Sequence, residues 1–392
     1  METTERLTGS RDPSPLLQPL SLGSLTVANR FVMSPMTRAS SPHGVPGANV
    51  AEYYRKRANG GVGLIITEGT GIDHPAAIGY SDFNGGDIPM MYGEAALAGW
   101  REVVKAVHAE GGKIAPQLWH QGPMRLVGCA PFPDHPSSRP SGIWGEKTGR
   151  STIAPEAAEK LLPECAPLTE SEIGDIIAGY ARSAAIAKDL GFDAIALHGG
   201  HGYLIDSFFW SVTNRRTDRY GGDHARRARF AAEVVKAVRA TIGEQMPIFL
   251  RFSQWKQQDL GAKIAETPEQ LEQLLGPIAD AGVDVFDAST RKFGTPEFDG
   301  SPLNLAGWAR KLTGKLSMTV GGVGMSNDLY TAYAEGGSRP ASLDPLIERF
   351  EQSEFDLVAV GRALIADHDW VQRIQRGEPT TRFEGSMVAS LN

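Results

Sequence analysis

Short apolar runs alternate with amphipathic stretches along most of the chain, and this alternation predicts strands that each lead into a helix. Apolar residues recur with helical spacing over 94–109, 169–190, 225–241 and 267–281. The runs that predict strands are 31–36, 62–67, 112–117, 194–197, 247–251, 283–287, 316–320 and 355–360. Weaker patterns predict helices at 49–57, 325–335 and 362–376, and a small hairpin through Leu20, Leu22, Leu25 and Val27.

About eight strands that alternate with helices are typical of an α/β protein of the (β/α)₈ barrel class. A doubly wound open sheet is the alternative, but no Gly-x-Gly-x-x-Gly turn follows an early strand. No linker divides the chain, so we predict a loose tail over 1–14 and one barrel domain over 15–392. Residues 120–168 contain no clear element and predict a long capping loop after the third strand. Residues 337–354 are predicted to be an insertion before the last strand.

The composition argues against some classes of binding partner and cofactor. The chain of 392 residues is 41% hydrophobic and carries a net charge of −7, which argues against binding to nucleic acid or to an anionic membrane surface. Its two cysteines are too few for a four-thiolate iron–sulfur cluster and are treated as reduced thiols. No apolar leader or membrane-length stretch occurs, so we expect a cytoplasmic monomer or homodimer that acts on a small molecule.

The stretch richest in chemistry lies at the end of the fourth predicted strand. Alternation along that strand puts Ile195 and Leu197 on one face and His198 on the other. His198 therefore projects from the carboxyl end of the strand, where barrels of this class build their sites. A lone histidine is more often a structural residue, but His198 is followed closely by His201 and Tyr203. Two imidazoles and a phenol in one turn predict a functional site.

The turns after the last two strands predict a phosphate site. Gly321 and Gly322 follow the seventh strand, and Gly361 and Arg362 follow the eighth. Glycines expose backbone N–H groups and a guanidinium matches phosphate oxygens, at the two turns where barrels commonly hold a phosphate. Ordinary tight turns remain the alternative reading.

Other strand ends carry polar side chains that suit a ring with polar edges. Arg251 ends the fifth strand and Gln117 the third, while Thr37 follows the first. The arginine favours an anion and the amide favours an imide-like edge, although an ion pair and a capped loop are equally ordinary roles. Carboxylates are sparse at these ends, so no metal is predicted.

These motifs together resemble the old yellow enzymes, which are FMN-dependent ene-reductases on a (β/α)₈ barrel. The resemblance covers about residues 16–376, and no single motif carries it. The similar segments, in chain order, are Leu22–Arg30, Ser34–Arg38, Gly63–Gly69, Gln117–His120, His198-x-x-His201-x-Tyr203, Asn214-x-Arg216-x-Asp218-x-Tyr220-Gly221-Gly222 and Gly361–Arg362.

The resemblance implies how FMN is bound. Thr37 would hydrogen-bond the C4 carbonyl, Gln117 the pyrimidine edge, and Arg251 would lie near N1 and O2. The phosphate would be held by the glycine turns and Arg362. The full implied set is Ser34, Pro35, Met36, Thr37, Gly69, Gln117, Arg251, Gly321, Gly322, Gly361 and Arg362.

The resemblance also implies a reaction, with NADPH or NADH as the reductant. His198 and His201 would hold the oxygen of an enone or nitroalkene beside Trp119. Hydride would pass from FMN N5 to the β-carbon, and Tyr203 would protonate the α-carbon.

The chain departs from the family pattern at three places. Thr37 stands where one branch has cysteine, and His201 where some members have asparagine. Residues 225–227, Ala-Arg-Arg, replace the usual Glu-Asn-Arg, which we expect to affect local structure rather than chemistry.

Several other functions stay open from the sequence. The electrophile reduced could be a nitro ester or a quinone, or the barrel could bind flavin without catalysis. A lyase or aldolase on the same barrel would need a Schiff-base lysine or a metal at a carboxyl strand end, whereas Lys113 opens its strand.

Overall fold

The computed structural model describes residues 10–79, 87–146 and 150–392. The strands are β1 Leu20–Leu22, β2 Leu25–Val27, β3 Phe31–Met33, β4 Leu64–Gly71, β5 Ile114–Trp119, β6 Ile195–His201, β7 Ile248–Lys256, β8 Val285–Ser289, β9 Leu316–Val320, β10 Gly337–Ser338, β11 Leu357–Val360 and β12 Phe383–Glu384. The helices are α1 Ala48–Asn59, α2 Glu94–Ala109, α3 Pro155–Leu161, α4 Glu170–Asp189, α5 Leu204–Phe209, α6 His224–Ile242, α7 Pro268–Asp280, α8 Leu305–Thr313, α9 Leu329–Ala334, α10 Asp344–Glu351, α11 Arg362–Ala366 and α12 Trp370–Arg376.

Eight of these strands form a closed parallel barrel in the order β11-β3-β4-β5-β6-β7-β8-β9. Closure comes from β11, in which Val358 pairs with Phe31 of β3 on one side and with Thr319 of β9 on the other. The predicted (β/α)₈ class is therefore confirmed, and the open sheet is wrong. Because all eight strands run in parallel, their carboxyl ends meet at one rim.

The strands separate two apolar cores by simple alternation. Ala194 and Ala196 of the fourth barrel strand pack inside the barrel, together with Phe249 of the fifth. Ile195 and Leu197 face the other way and join the layer between the strands and the helices. This is the alternation that the sequence predicts for β6, and it directs His198 toward the inside of the barrel mouth.

The predicted hairpin closes the opposite end of the barrel. β1 and β2 pair in antiparallel fashion, with Leu20 opposite Val27. Leu25 and Val27 join the inner core against residues that open their strands, such as Leu64. The hairpin thus covers the amino end of the inner core with apolar side chains.

Of two predictions about long connections, the loop after the third strand is confirmed, although it is not without structure. The stretch 120–168 contains the short helix α3, and Met124, Trp144 and Leu161 form a small apolar cluster within it. Residues 337–354 are not an insertion, because they contain α10, the helix that returns the chain to β11. Leu346 and Ile347 of α10 are fully buried in the main core.

Other boundaries differ because elements extend past the apolar runs. β6 continues beyond Leu197 to His201, and β7 beyond Arg251 to Lys256. The predicted helix 362–376 is two helices, interrupted at Asp367 where the backbone is extended. The segment 325–335 is helical only in α9. Residues 1–9 of the predicted tail and 147–149 of the predicted loop lie outside the described residues.

Both ends of the described chain are fastened to the barrel. Backbone N–H groups of Ser10 and Arg11 donate to Asp344 at 2.9 and 2.8 Å. At the other end, the guanidinium of Arg38 donates to the carbonyls of Val388 and Ser390, at 3.1 and 2.6 Å. Residues 385–392, here named the closing segment, therefore lie beside the loop that follows the first barrel strand.

Side-chain caps set where several helices begin. Thr169 accepts from the Glu172 backbone N–H at 3.2 Å, and the Glu172 carboxylate accepts from the Thr169 N–H at 2.7 Å. This reciprocal pair satisfies two donors at the start of α4. Among the helices described, none has the length and apolar character needed to cross a bilayer.

We expect Thr169→Ala to lower the free energy of unfolding by about 1 kcal/mol, because it leaves the first turn of α4 uncapped. Urea unfolding followed by circular dichroism measures this loss. Thr241→Ala is the matched control, since the Thr241 hydroxyl only donates back to Ala237 O on the surface of α6. Equal losses in the two variants would contradict the role of the cap.

Candidate active site

A cavity of about 550 Å³ opens at the carboxyl rim of the barrel. Every residue that the sequence analysis assigns to a site lines this cavity. They are Ser34, Pro35, Met36, Thr37, Gly69, Gln117, Trp119, His198, His201, Tyr203, Arg251, Gly321, Gly322, Gly361 and Arg362. Their convergence follows from barrel closure, because they come from the ends of seven different strands and the turns that follow them.

His198 is a neutral hydrogen-bond donor. Its Nδ1 accepts from the Gly200 backbone N–H at 3.3 Å, which leaves the proton of the neutral ring on Nε2. Burial holds the pKa of His198 well below its ordinary value, and the charge of Arg251 adds to the effect. The ring therefore donates through Nε2 without carrying a charge.

His201 is the second neutral imidazole, and its surroundings differ. Its Nε2 lies 2.8 Å from Ser289 Oγ, and its ring stacks on Trp255 with centroids 4.2 Å apart. Burial again depresses the pKa well below the usual range, helped by His198 and by the cations Arg251 and Lys256. The two imidazole rings stand at 89° with centroids 5.2 Å apart.

Tyr203 completes the aromatic wall. Its ring meets Trp119 edge-on at 4.8 Å and His198 at 4.9 Å. Burial raises the pKa of Tyr203 to about 12, although a hydrogen bond from Gln257 opposes the rise. The phenol consequently keeps its proton throughout the neutral and mildly alkaline range.

Arg251 is held as one half of a buried ion pair. Its Nε donates to Asp287 Oδ2 at 2.6 Å, and its Nη2 donates to Ser34 Oγ at 3.0 Å. Burial raises the pKa of Asp287, and the attraction of Arg251 opposes that rise. The pairing fixes the direction of the guanidinium and reduces the net charge of this corner of the cavity.

Gln117 carries an unused donor. It is only 2% exposed, and within the described residues its Nε2 has no hydrogen-bond partner. A buried donor without an acceptor is costly, so a ligand with a carbonyl or imide edge is the chemistry that would satisfy it. Gly69 of β4 pairs with Gln117 across the two neighbouring strands.

The glycine turns form a concave wall beside Arg362. Gly322 has a φ of 68°, and a Cβ placed there would find its nearest neighbour 3.7 Å away, so the wall is open. Gly361 is tight by contrast, since a Cβ there would lie 3.3 Å from Met36 Sδ. The Arg362 guanidinium donates to the carbonyls of Asn327 and Asp328 at 2.6 and 3.2 Å, which orients it. Backbone N–H groups and an oriented guanidinium suit a phosphate.

Sequence reasoning missed part of the lining. Trp255 lies in the extension of β7 and Gln257 directly follows it, while Ser289 ends β8 and Thr290 and Arg291 follow. The position of the last three at a strand end was a signal that could have found them. Others come from α9 and the closing segment, where no pattern marks them, namely Leu329, Tyr330, Tyr333 and Val388.

Comparison with known proteins identifies the family. Residues 15–381 match the NADH:flavin oxidoreductase / NADH oxidase family. The chain is 32% identical to 12-oxophytodienoate reductase 7 of Oryza sativa subsp. japonica, over 92% of this chain and 88% of that protein. The chain is also 31% identical to the NADH oxidase of Thermoanaerobacter brockii over 91% of its own length. It spans only about half (50%) of the length of that relative.

Solved structures agree in fold. Morphinone reductase superposes with a TM-score of 0.74 at 29% identity, covering 95% of this chain and 92% of that one. The old yellow enzyme homologue from Zymomonas mobilis gives 0.75 at 26% identity, covering 95% and 96%.

The barrel, the glycine turns beside Arg362 and the unused amide donor of Gln117 fit the cofactor of this family. The match extends over nearly the whole barrel domain, and relatives above 30% identity share most of it. The chain therefore belongs to the old yellow enzyme family of NAD(P)H:flavin oxidoreductases, which carry FMN.

Proposed function

We propose that the enzyme reduces the C=C bond of α,β-unsaturated carbonyl and nitro compounds. The observation that carries this proposal is the pair of neutral imidazoles beside a protonated phenol on one wall of the cavity. The wall offers donors for an electron-withdrawing oxygen and, next to them, a proton source. FMN, when bound, supplies hydride chemistry to that wall.

FMN is proposed to lie on the opposite side of the cavity. Gln117 Nε2 would donate to the pyrimidine edge, and Arg251 would face the ring, held in place by Asp287. The phosphate would lie against Gly322 and Arg362, where the wall is open. The remaining assignments are those implied by the family resemblance.

The histidines bind and polarise the substrate oxygen. The Nε2–H group of neutral His198 would donate a hydrogen bond to the substrate oxygen, which becomes more negative as the double bond is reduced. At His201 the same oxygen would share or replace Ser289 Oγ as the partner of Nε2. Because both rings are neutral, they stabilise the developing charge by hydrogen bonding and do not give up a proton.

Tyr203 supplies the proton to the α-carbon. Its contacts with Trp119 and His198 hold the phenol next to the oxygen-binding imidazoles. A pKa of about 12 keeps the proton in place at working pH, so the acid form is present on every turnover.

The remaining lining favours a flat, apolar substrate. Trp119, Trp255 and Tyr330 present ring surfaces to the cavity, and the rim exposes Leu329 and Tyr333 by 40% and 49%. A conjugated enone or nitroalkene presents flat apolar surface to such a wall. This agrees with the names of the relatives, among which are an oxophytodienoate reductase and a chanoclavine-I aldehyde reductase.

The lyase alternative gains no support from lysines at the rim. Lys256 ends β7, a position overlooked in the sequence, but it is fully buried and does not line the cavity. Its Nζ donates to Asp206 and to the carbonyls of Ser253 and Gln254, so it has no free donor to offer a carbonyl substrate.

The visible spectrum of the purified protein tests the proposal. We expect a yellow protein whose flavin band is bleached by NADPH or NADH and restored anaerobically by cyclohexenone. Return of the band only with a quinone or a nitro ester would favour those electrophiles. A flavin that NAD(P)H fails to bleach would favour a binding protein.

We expect Arg362→Leu to weaken FMN binding by about 10–100-fold, because it removes a charge-assisted contact to the phosphate. Riboflavin, which lacks the phosphate, should bind both forms equally when flavin fluorescence is titrated. Arg376→Leu on the surface of α12 is the matched control. A parallel loss of riboflavin binding would assign Arg362 to folding instead.

We expect Tyr203→Phe to slow enone reduction by about 10²–10⁴-fold and to leave flavin reduction by NAD(P)H unchanged. Stopped-flow absorbance separates the two half-reactions. Since the pKa of Tyr203 is raised to about 12 and those of both histidines are lowered, none of the three should titrate between about pH 7 and 10, and the enone step should be flat there. Tyr180→Phe, in the core of α4, is the control. Equal slowing of both half-reactions would contradict the role of Tyr203.

A further inference from the structure

The turn that carries the reactive side chains has an unusual backbone. His201 has a φ of 64°, in the left-handed region that a non-glycine residue rarely adopts. Gly202 follows at 87°, and a Cβ there would lie 1.9 Å from Gln258 Oε1. Such a conformation persists only where the surroundings hold it, and it decides where the side chains of His201 and Tyr203 point.

One segment contacts this turn from end to end. Residues 253–258, here named the positioning segment, continue past the arginine at which the predicted strand stopped. Ser253 Oγ accepts from the His201 N–H at 2.9 Å, and the Gln257 N–H donates to His201 O at 3.3 Å. Gln258 Nε2 donates to Gly202 O at 3.3 Å. Both peptide groups flanking the left-handed residue are therefore engaged.

The centre of the positioning segment is a buried ion pair. Lys256 Nζ donates to Asp206 Oδ1 at 2.8 Å, and both side chains are completely inaccessible to solvent. The second carboxylate oxygen, Asp206 Oδ2, accepts from the Gly202 N–H at 2.6 Å. The carboxylate thus joins the ammonium group directly to the peptide that lies between His201 and Tyr203.

A buried ion pair of this kind contributes little net stability compared with apolar residues of the same size, because desolvation offsets the attraction. Neither side chain lines the cavity. The pair instead fixes the orientation of the turn. The carboxylate accepts hydrogen bonds at both of its oxygens, while the ammonium group is held by the carbonyls of Ser253 and Gln254.

We propose that the positioning segment, through the Asp206–Lys256 ion pair, holds the His201–Tyr203 turn. In this position the imidazole of His201 and the phenol of Tyr203 can both contact the same substrate molecule. Asp206 and Lys256 are positioning residues and do not touch the substrate. The inference rests on the proposed function and names residues that act on its oxygen-binding and proton-donating steps.

The variant Asp206→Asn keeps the size of the side chain and changes its contacts. An amide has one acceptor oxygen, so it cannot accept from both the Gly202 N–H and the Lys256 ammonium, and its NH₂ group must face one of these donors. The side chain at position 206 then no longer accepts from one of its two donors, the Gly202 N–H or the Lys256 ammonium group, and the turn is held by one hydrogen bond fewer.

The test uses the FMN-loaded enzyme and p-chlorophenol, a phenol expected to bind the two histidines over the flavin with a long-wavelength charge-transfer band. In Asp206→Asn we expect the dissociation constant of p-chlorophenol to rise about tenfold or more. Reoxidation of the reduced enzyme by cyclohexenone should slow by a similar factor or more. FMN content should be unchanged, because neither Asp206 nor Lys256 lines the cavity.

Glu354→Gln is the matched control. Glu354 forms a buried ion pair with Arg349 at 2.8 Å and accepts from the Asn304 N–H at 2.6 Å, but it does not line the cavity. We expect it to lower the melting temperature without changing the phenol affinity. The double variant Asp206→Asn with Lys256→Gln restores a complementary neutral pair and should recover part of the affinity.

Should Asp206→Asn fail to fold, Ser253→Ala decides the matter, because it removes the acceptor of the His201 N–H and the hydrogen bond that Ser253 Oγ donates to Trp255 O within the positioning segment. Wild-type phenol affinity and enone rate in the variant that folds would overturn the proposal and leave a purely structural ion pair. Absence of the phenol band and of enone turnover in the wild-type enzyme is a different result. It would refute the proposed function, and this inference with it.

Discussion

All residues of the site share one rim because β11 pairs with both β3 and β9 and so closes a parallel sheet on itself. Closure brings together side chains as distant in the chain as Ser34 and Arg362. It also separates the apolar interior of the barrel from the polar rim. Apolar residues of the strands and the hairpin fill the interior, and the polar side chains of the site gather where the strands finish.

Within that rim, charge is neutralised close to where it arises. Arg251 is paired with Asp287 and Lys256 with Asp206, and all four side chains are buried. The imidazoles of the two histidines are kept neutral by the same burial. Polarity in the mouth is therefore delivered mainly through oriented N–H and O–H groups, which suits a reaction in which negative charge appears transiently on a substrate oxygen.

The sequence predicted the parts of this enzyme that depend on local pattern. Alternation at Ile195–Leu197 predicted the inward direction of His198, and the glycines after the last two barrel strands predicted turns that line the cavity. Contacts that depend on register across strands escaped it, such as Trp255 stacking on His201, since β7 was expected to stop before that point. α10 was mistaken for an insertion because a short amphipathic helix of eight residues is a weak signal beside its flanking turns.

The closing segment has a consequence for how the cavity wall forms. Val388 forms part of the wall and is held there by Arg38, a residue of the first barrel turn. The two residues are 350 positions apart in the chain, so this part of the wall forms only when two distant segments meet on the folded barrel. The wall of the cavity on this side therefore depends on long-range folding and not on any local element.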